Sequence, residues 1–167
     1  MTPADIVVTR WSARFRGRVF PCAVGRGGIV PARLKREGDR ATPAGVHRFI
    51  GLLYRPDRLS RPADWARPIG PSDLWSDDPD DPDYNLPVRV PHAYRHERMT
   101  RPDPMYDLVL LTDWNWPQAA PGRGSAIFVH VWCKARHPTA GCVAFAKADL
   151  LWIAARIQPE SRLIVRF

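Results

Sequence analysis

The chain has 167 residues, a hydrophobic fraction of 45% and a formal charge of +8. These values fit a single domain over 1–167 with a real core, and they exclude a largely disordered polypeptide. The charge is nearly all arginine, spread along the chain with no basic run, so it reads as a solvated surface and excludes a dedicated nucleic-acid partner.

From the N-terminus, MTPADIVVTRW lacks the basic start and apolar core of an export signal. No stretch approaches the roughly 20 apolar residues of a membrane span. The expectation is a cytoplasmic protein for the chain as given, or a periplasmic one if the native chain carries an upstream signal. Short runs rich in Val, Ile, Phe and Trp then recur at 6–11, 19–24, 46–54, 107–114, 126–132 and 162–167, which predicts strands. Between Pro56 and Pro104 lies a long segment dense in Pro and Asp without clear elements, expected to be a functional loop or a disordered one. Leu150, Ile153, Ala154 and Ile157 repeat at helical spacing, which predicts one helix over about 147–158, stopped by Pro159. The architecture expected is mainly antiparallel β with one helix packed on it.

Three cysteines (Cys22, Cys133 and Cys142) are too few for a disulfide framework. HVWCKARHPTAGCVAF, 130 to 145, admits two chemistries. His130, Cys133, His137 and Cys142 have the letter count of a zinc site. In a strand, however, His130 and Cys133 would point to opposite sides, whereas zinc pairs usually sit together on a tight turn. The alternative is a cysteine nucleophile. Pro138 and Gly141 bend the chain and present Cys142 where successive N–H groups can converge on an anion. His130, ending the strand before that bend, could return to take the thiol proton.

The segments FVHVW, PTAGCVAF and a helix beginning near ADLL resemble the catalytic domain of the L,D-transpeptidases, the YkuD-like family, in its branch with a short His-to-Cys interval. KREGDRATPAGVHRF (35 to 49), WSDDPDDPDYN (75 to 85), HE at 96 and 97, YD at 106 and 107, and PGRGSAIFVH (121 to 130) extend the resemblance over roughly 6–158. It implies a mainly β, sandwich-like fold with one C-terminal-half helix. It also implies a cysteine that attacks an L,D-amide of a peptidoglycan stem peptide and passes the acyl group to an amine or to water. Carried over, Cys142 is the nucleophile, His130 the base, and the N–H groups of Gly141 and Cys142 the oxyanion hole. No metal and no cofactor are implied, and the partner is a stem peptide or muropeptide.

The sequence departs from the pattern at Ala140, where many members have histidine, and at Ala144, where many have a polar or basic residue. Cys133 reads as packing and His137 as a loop residue. Lys35, Glu37 and Asp39 match a family segment without an assigned role, and a charged turn held by Gly38 and Gly45 is the alternative. Other outcomes left open are a cytoplasmic L,D-carboxypeptidase that recycles stem peptides and a non-catalytic peptidoglycan-binding module.

Overall fold

β-branched and aromatic runs separated by glycine and proline form most of the elements, as expected for residues that pack well on a pleated surface. The computed structural model describes residues 2–167. The strands are β1 (Ile6–Val8), β2 (Ser12–Phe15), β3 (Arg18–Ala23), β4 (Ile29–Pro31), β5 (Thr42–Tyr54), β6 (Arg67–Pro68) and β7 (Asp73–Ser76). They continue with β8 (Pro87–Arg89), β9 (His96–Arg98), β10 (Leu108–Thr112), β11 (Phe128–Val131), β12 (Val143–Phe145) and β13 (Arg162–Val165); α1 (Lys147–Ala154) follows β12.

The large sheet runs β10-β11-β12-β3-β2-β1-β13-β5-β4, and β5 also pairs with β10. The sheet therefore closes on itself through β5. The first part of that long strand pairs with β13 (Val46↔Ile164) and its second part with β10 (Leu52↔Leu110), with a register break opposite Leu111 and Thr112. β1–β13, β4–β5, β5–β6 and β11–β12 are parallel and the remaining pairs antiparallel. The fold is mainly β and mainly antiparallel with a single helix, as expected.

Ile6, Phe15, Leu52, Leu108, Leu110, Val129 and Phe145 fill the space enclosed by the sheet, and Leu150, Ile153 and Ile157 of the helical segment pack onto them. Each fully buried side chain of this size contributes about 1.5–3 kcal/mol of burial. Opposite this core, the other face of β10 and β11 carries a second cluster containing Val109, Leu111 and Phe128. Ile69, Trp75, Met99 and Tyr106 cover it.

Three expectations change. The 56–104 segment is not an irregular loop, because β7, β8 and β9 form a small sheet of their own in the order β8-β7-β9. Proline and aspartate hid these strands, since Pro87 opens β8 and Asp73 opens β7. The run at 6–11 is shorter than expected, and β2 follows it. β2 and β3 join by a two-residue turn with Arg16 at φ 47° and Gly17 at φ 75°, the mirror-image turn that suits strand twist but seldom carries arginine. The helix ends at Ala154 rather than 158 because Arg156 N–H bonds the Ile153 carbonyl, tightening the last turn before Pro159.

Candidate active site

β11 and β12 are parallel neighbours with Val129 opposite Val143 and His130 opposite Ala144. Alternation along each strand then puts Phe128, His130, Cys142 and Ala144 on one face, the face of the second cluster. Strand register therefore sets Cys142 and His130 on the same face of the sheet.

Cys142 itself is held at a bend. Gly141 has φ 143°, and a Cβ there would lie 3.0 Å from the Ala41 carbonyl oxygen and 3.1 Å from Ile127 Cδ1, so only glycine fits. Two threonines lock the bend. Thr42, fully buried, accepts from Gly25 N–H at 2.8 Å and donates to the Gly141 carbonyl at 2.8 Å. Thr139 accepts from Gly141 N–H at 3.0 Å and donates to the Cys142 carbonyl at 2.6 Å. At rest, then, the Gly141 N–H is occupied by Thr139. The Cys142 N–H finds no acceptor among the described residues and is the open donor.

At rest the thiol is bonded to backbone groups of the segment that leads into β11. Cys142 Sγ donates to the Ala126 carbonyl at 3.0 Å and accepts from Phe128 N–H at 3.4 Å. Ala126 sits at φ 50°, unusual for alanine, and Asn85 holds it there. Asn85 Oδ1 accepts from Ala126 N–H at 2.9 Å and from Trp75 Nε1 at 3.1 Å, while its amide donates to the Trp114 and Asn115 carbonyls.

His130 is buried, and its Nδ1 lies 2.8 Å from the Val131 carbonyl. With the proton on Nδ1 this is a donated bond, which leaves Nε2 unprotonated and able to accept. The Tyr106 ring stands edge-on to the imidazole at 5.5 Å, and the Tyr106 hydroxyl donates to Glu97 Oε2.

Burial sets the protonation states. It pushes the Cys142 thiol up to about 12, opposed by the Phe128 N–H, and brings His130 down to about 4, opposed by the Val131 carbonyl. Although Cys142 keeps partial exposure, its sulfur is enclosed closely enough for desolvation to dominate. At rest the Cys142 thiol and the His130 imidazole are therefore both neutral near pH 7. A large standing thiolate population, the sign of an activated cysteine, is not what this geometry produces.

A stability consequence follows. His130 is neutral in the fold at pH values where the unfolded chain already binds a proton, so stability is lost as pH falls from 6.5 towards 4. That loss is about 3 kcal/mol in all, on the free-energy scale of such shifts. His47, buried and held down by the same cause, acts in the same direction. Urea midpoints measured from pH 7 to pH 4.5 should fall in this window, and less steeply in His130→Gln. A flat wild-type profile would contradict the burial argument.

The remaining residues of the motif separate. Cys133 is exposed, Cys22 is buried in the main core, and His137 lies in the exposed loop after β11. No group of three or more His, Cys, Asp or Glu side chains gathers as a metal site among the described residues. Cys133→Ser should therefore keep most of whatever activity Cys142 supports, and a loss as deep as that of a Cys142 variant would reopen a role for it.

Lys35, Glu37 and Asp39 brace the turn that leads into β5. Lys35 Nζ pairs with Asp39 Oδ1 at 2.7 Å, Asp39 accepts from Ala41 N–H at 2.9 Å, and Glu37 accepts from Tyr84 Oη at 2.5 Å. Gly38 turns there at φ 75°, so the charged-turn reading describes the segment. A groove of about 1000 Å³ runs between β5 and the small sheet, lined by Leu53, Arg67, Trp75, Met99 and Leu111 among others. Neither Cys142 nor His130 lines it, but Trp75, Met99 and Leu111 belong to the cluster against which Cys142 packs.

Fold and site together describe a mainly β domain with a thiol and an imidazole on one sheet face beside a broad groove. The model of the YkuD family, the L,D-transpeptidase catalytic domain, matches residues 8–165, and the chain belongs to that family, whose members act on peptidoglycan. Neither the curated proteins nor the solved structures show a match.

Proposed function

We propose that the protein is a cysteine acyltransferase in which Cys142 attacks an L,D-amide of a peptidoglycan stem peptide with His130 as its base. The observation that carries this reading is strand register: it places Cys142 and His130 on one face with the imidazole Nε2 left unprotonated. Substrate entering beside Phe128 would displace the thiol from the Ala126 carbonyl. The proton then passes from sulfur to Nε2, and sulfur attacks the amide carbonyl. The oxyanion is received by the Cys142 N–H, and the proton on Nε2 goes to the departing amine. The thioester that remains is opened by an amine or by water. The groove along β5 supports an extended peptide substrate.

Incubation with a tetrapeptide stem, with and without a D-amino acid, tests the reading by mass analysis. Loss of the terminal residue, by exchange or by hydrolysis, is the expected result. Recovery of intact peptide that nevertheless binds would favour a non-catalytic peptidoglycan-binding module.

A further inference from the structure

β9 lies antiparallel to β7 with Glu97 opposite Trp75, so the two side chains share a face. That face is the inner one. The Trp75 ring meets the Phe128 ring at 4.9 Å, and Met99, two residues beyond Glu97, is buried in the same cluster. Glu97 thus places a carboxylate where strand alternation calls for an apolar side chain.

The carboxylate accepts the Tyr106 hydroxyl, and no cation lies within ion-pair distance of it among the described residues. Arg101 and Glu97 attract each other at longer range, but the Arg101 guanidinium lies 5.1 Å over the Tyr106 ring and pairs with Asp103 at 2.7 Å. A partly buried carboxylate with no direct ion pair, whose neighbouring cation is paired with another carboxylate, gains from a further positive charge. Side-chain contacts link Glu97 to the site. Tyr106 bridges it to His130, and Trp75 and Phe128 bridge it to the strand position beside Cys142. The charge of Glu97 also reaches the Cys142 sulfur, where it opposes thiolate formation.

We propose that Glu97 binds the ammonium group of an amine acyl acceptor, so that the acyl-enzyme is intercepted by amines in preference to water. This rests on the acyltransfer reading above. An acceptor reaches the thioester as R–NH3+. One proton leaves to solvent while the nitrogen stays hydrogen-bonded to the carboxylate. The free amine attacks the thioester carbonyl, forming C–N. A second proton passes from nitrogen to His130 and on to sulfur as C–S breaks, which returns the Cys142 thiol. Tyr106, whose hydroxyl burial keeps protonated, holds the carboxylate in place.

The test reads the partition of one acyl-enzyme, so a change in acylation rate does not enter. Wild type, Glu97→Gln and Glu97→Asp are given a tetrapeptide stem with D-methionine or D-alaninamide, and separately with hydroxylamine, which is neutral at pH 7.5. Exchange and hydrolysis products are counted by mass spectrometry. The expected result is an amine-to-water product ratio about tenfold lower in Glu97→Gln and largely kept in Glu97→Asp, with the hydroxylamine ratio unmoved in both. An unchanged amine ratio in Glu97→Gln, an equal fall for hydroxylamine, or a wild type that only hydrolyses would overturn the assignment while leaving acyl transfer intact. A wild type that releases nothing from the donor would instead remove the acyltransfer reading itself.

Discussion

Incubated with a carbapenem, whose strained lactam mimics an acyl donor, the protein should gain one acyl group on Cys142, and Cys142→Ala should gain none. His130→Ala should still form the adduct, but about 10²–10⁴-fold more slowly, the usual contribution of a general base. The size of that dependence follows from burial. With the thiol pushed up to about 12, only on the order of 10⁻⁵ of the molecules hold a thiolate at pH 7 unaided, so proton transfer to the imidazole within the reaction must supply the nucleophile. The residual rate of His130→Ala should climb with pH as thiolate forms without help. The wild-type rate should show no inflection near 6.5, because His130 titrates near 4. Intact-protein mass spectrometry of the three proteins reads all of this. An adduct on Cys22 or Cys133, or equal rates with and without His130, would refute the assignment.

The second large effect concerns Asn85, which touches neither sulfur nor imidazole. It is buried, sits at φ 60°, and its side chain makes four hydrogen bonds: to Trp75, Ala126, Trp114 and Asn115. Asn85→Ala strands two donors and two carbonyls and places alanine at a positive φ. The expected cost is about 4 kcal/mol, the upper end for breaking a buried polar network. Urea unfolding should show the lower midpoint with an unchanged slope. The surviving folded protein should also acylate more slowly, since the segment that carries the Ala126 carbonyl is no longer fixed. A loss below about 1 kcal/mol would mean that water or a neighbour replaces the amide.

Much of the site could be read from the sequence, but for uneven reasons. Cys142 and His130 were legible because Pro138, Gly141 and the apolar run before them report a bend and a strand locally. Which N–H remains open was not legible. It depends on Thr139 and Thr42, and Thr42 lies 99 residues from the Gly141 carbonyl that it bonds. Glu97, Tyr106 and Asn85 stood inside matched segments, yet nothing local told their roles, because each acts through a partner on another strand. The small sheet escaped notice for a similar reason. Its strands are three or four residues long, and their inner residues, Trp75, Glu97 and Met99, show alternation only once the pairing with β7 is known.

The closed sheet has a consequence for biogenesis. β13, the last of the strands, inserts between β1 and β5, and Ile6 pairs with Leu163, 157 positions away. β13 is made after every other strand of the sheet, so a nascent chain holds these edges of β1 and β5 unpaired until residues 162–165 have emerged. Such an order of events favours slow folding dominated by non-local contacts. It also means that a chain broken off before Arg162 cannot join β1 to β5 and so cannot close its sheet.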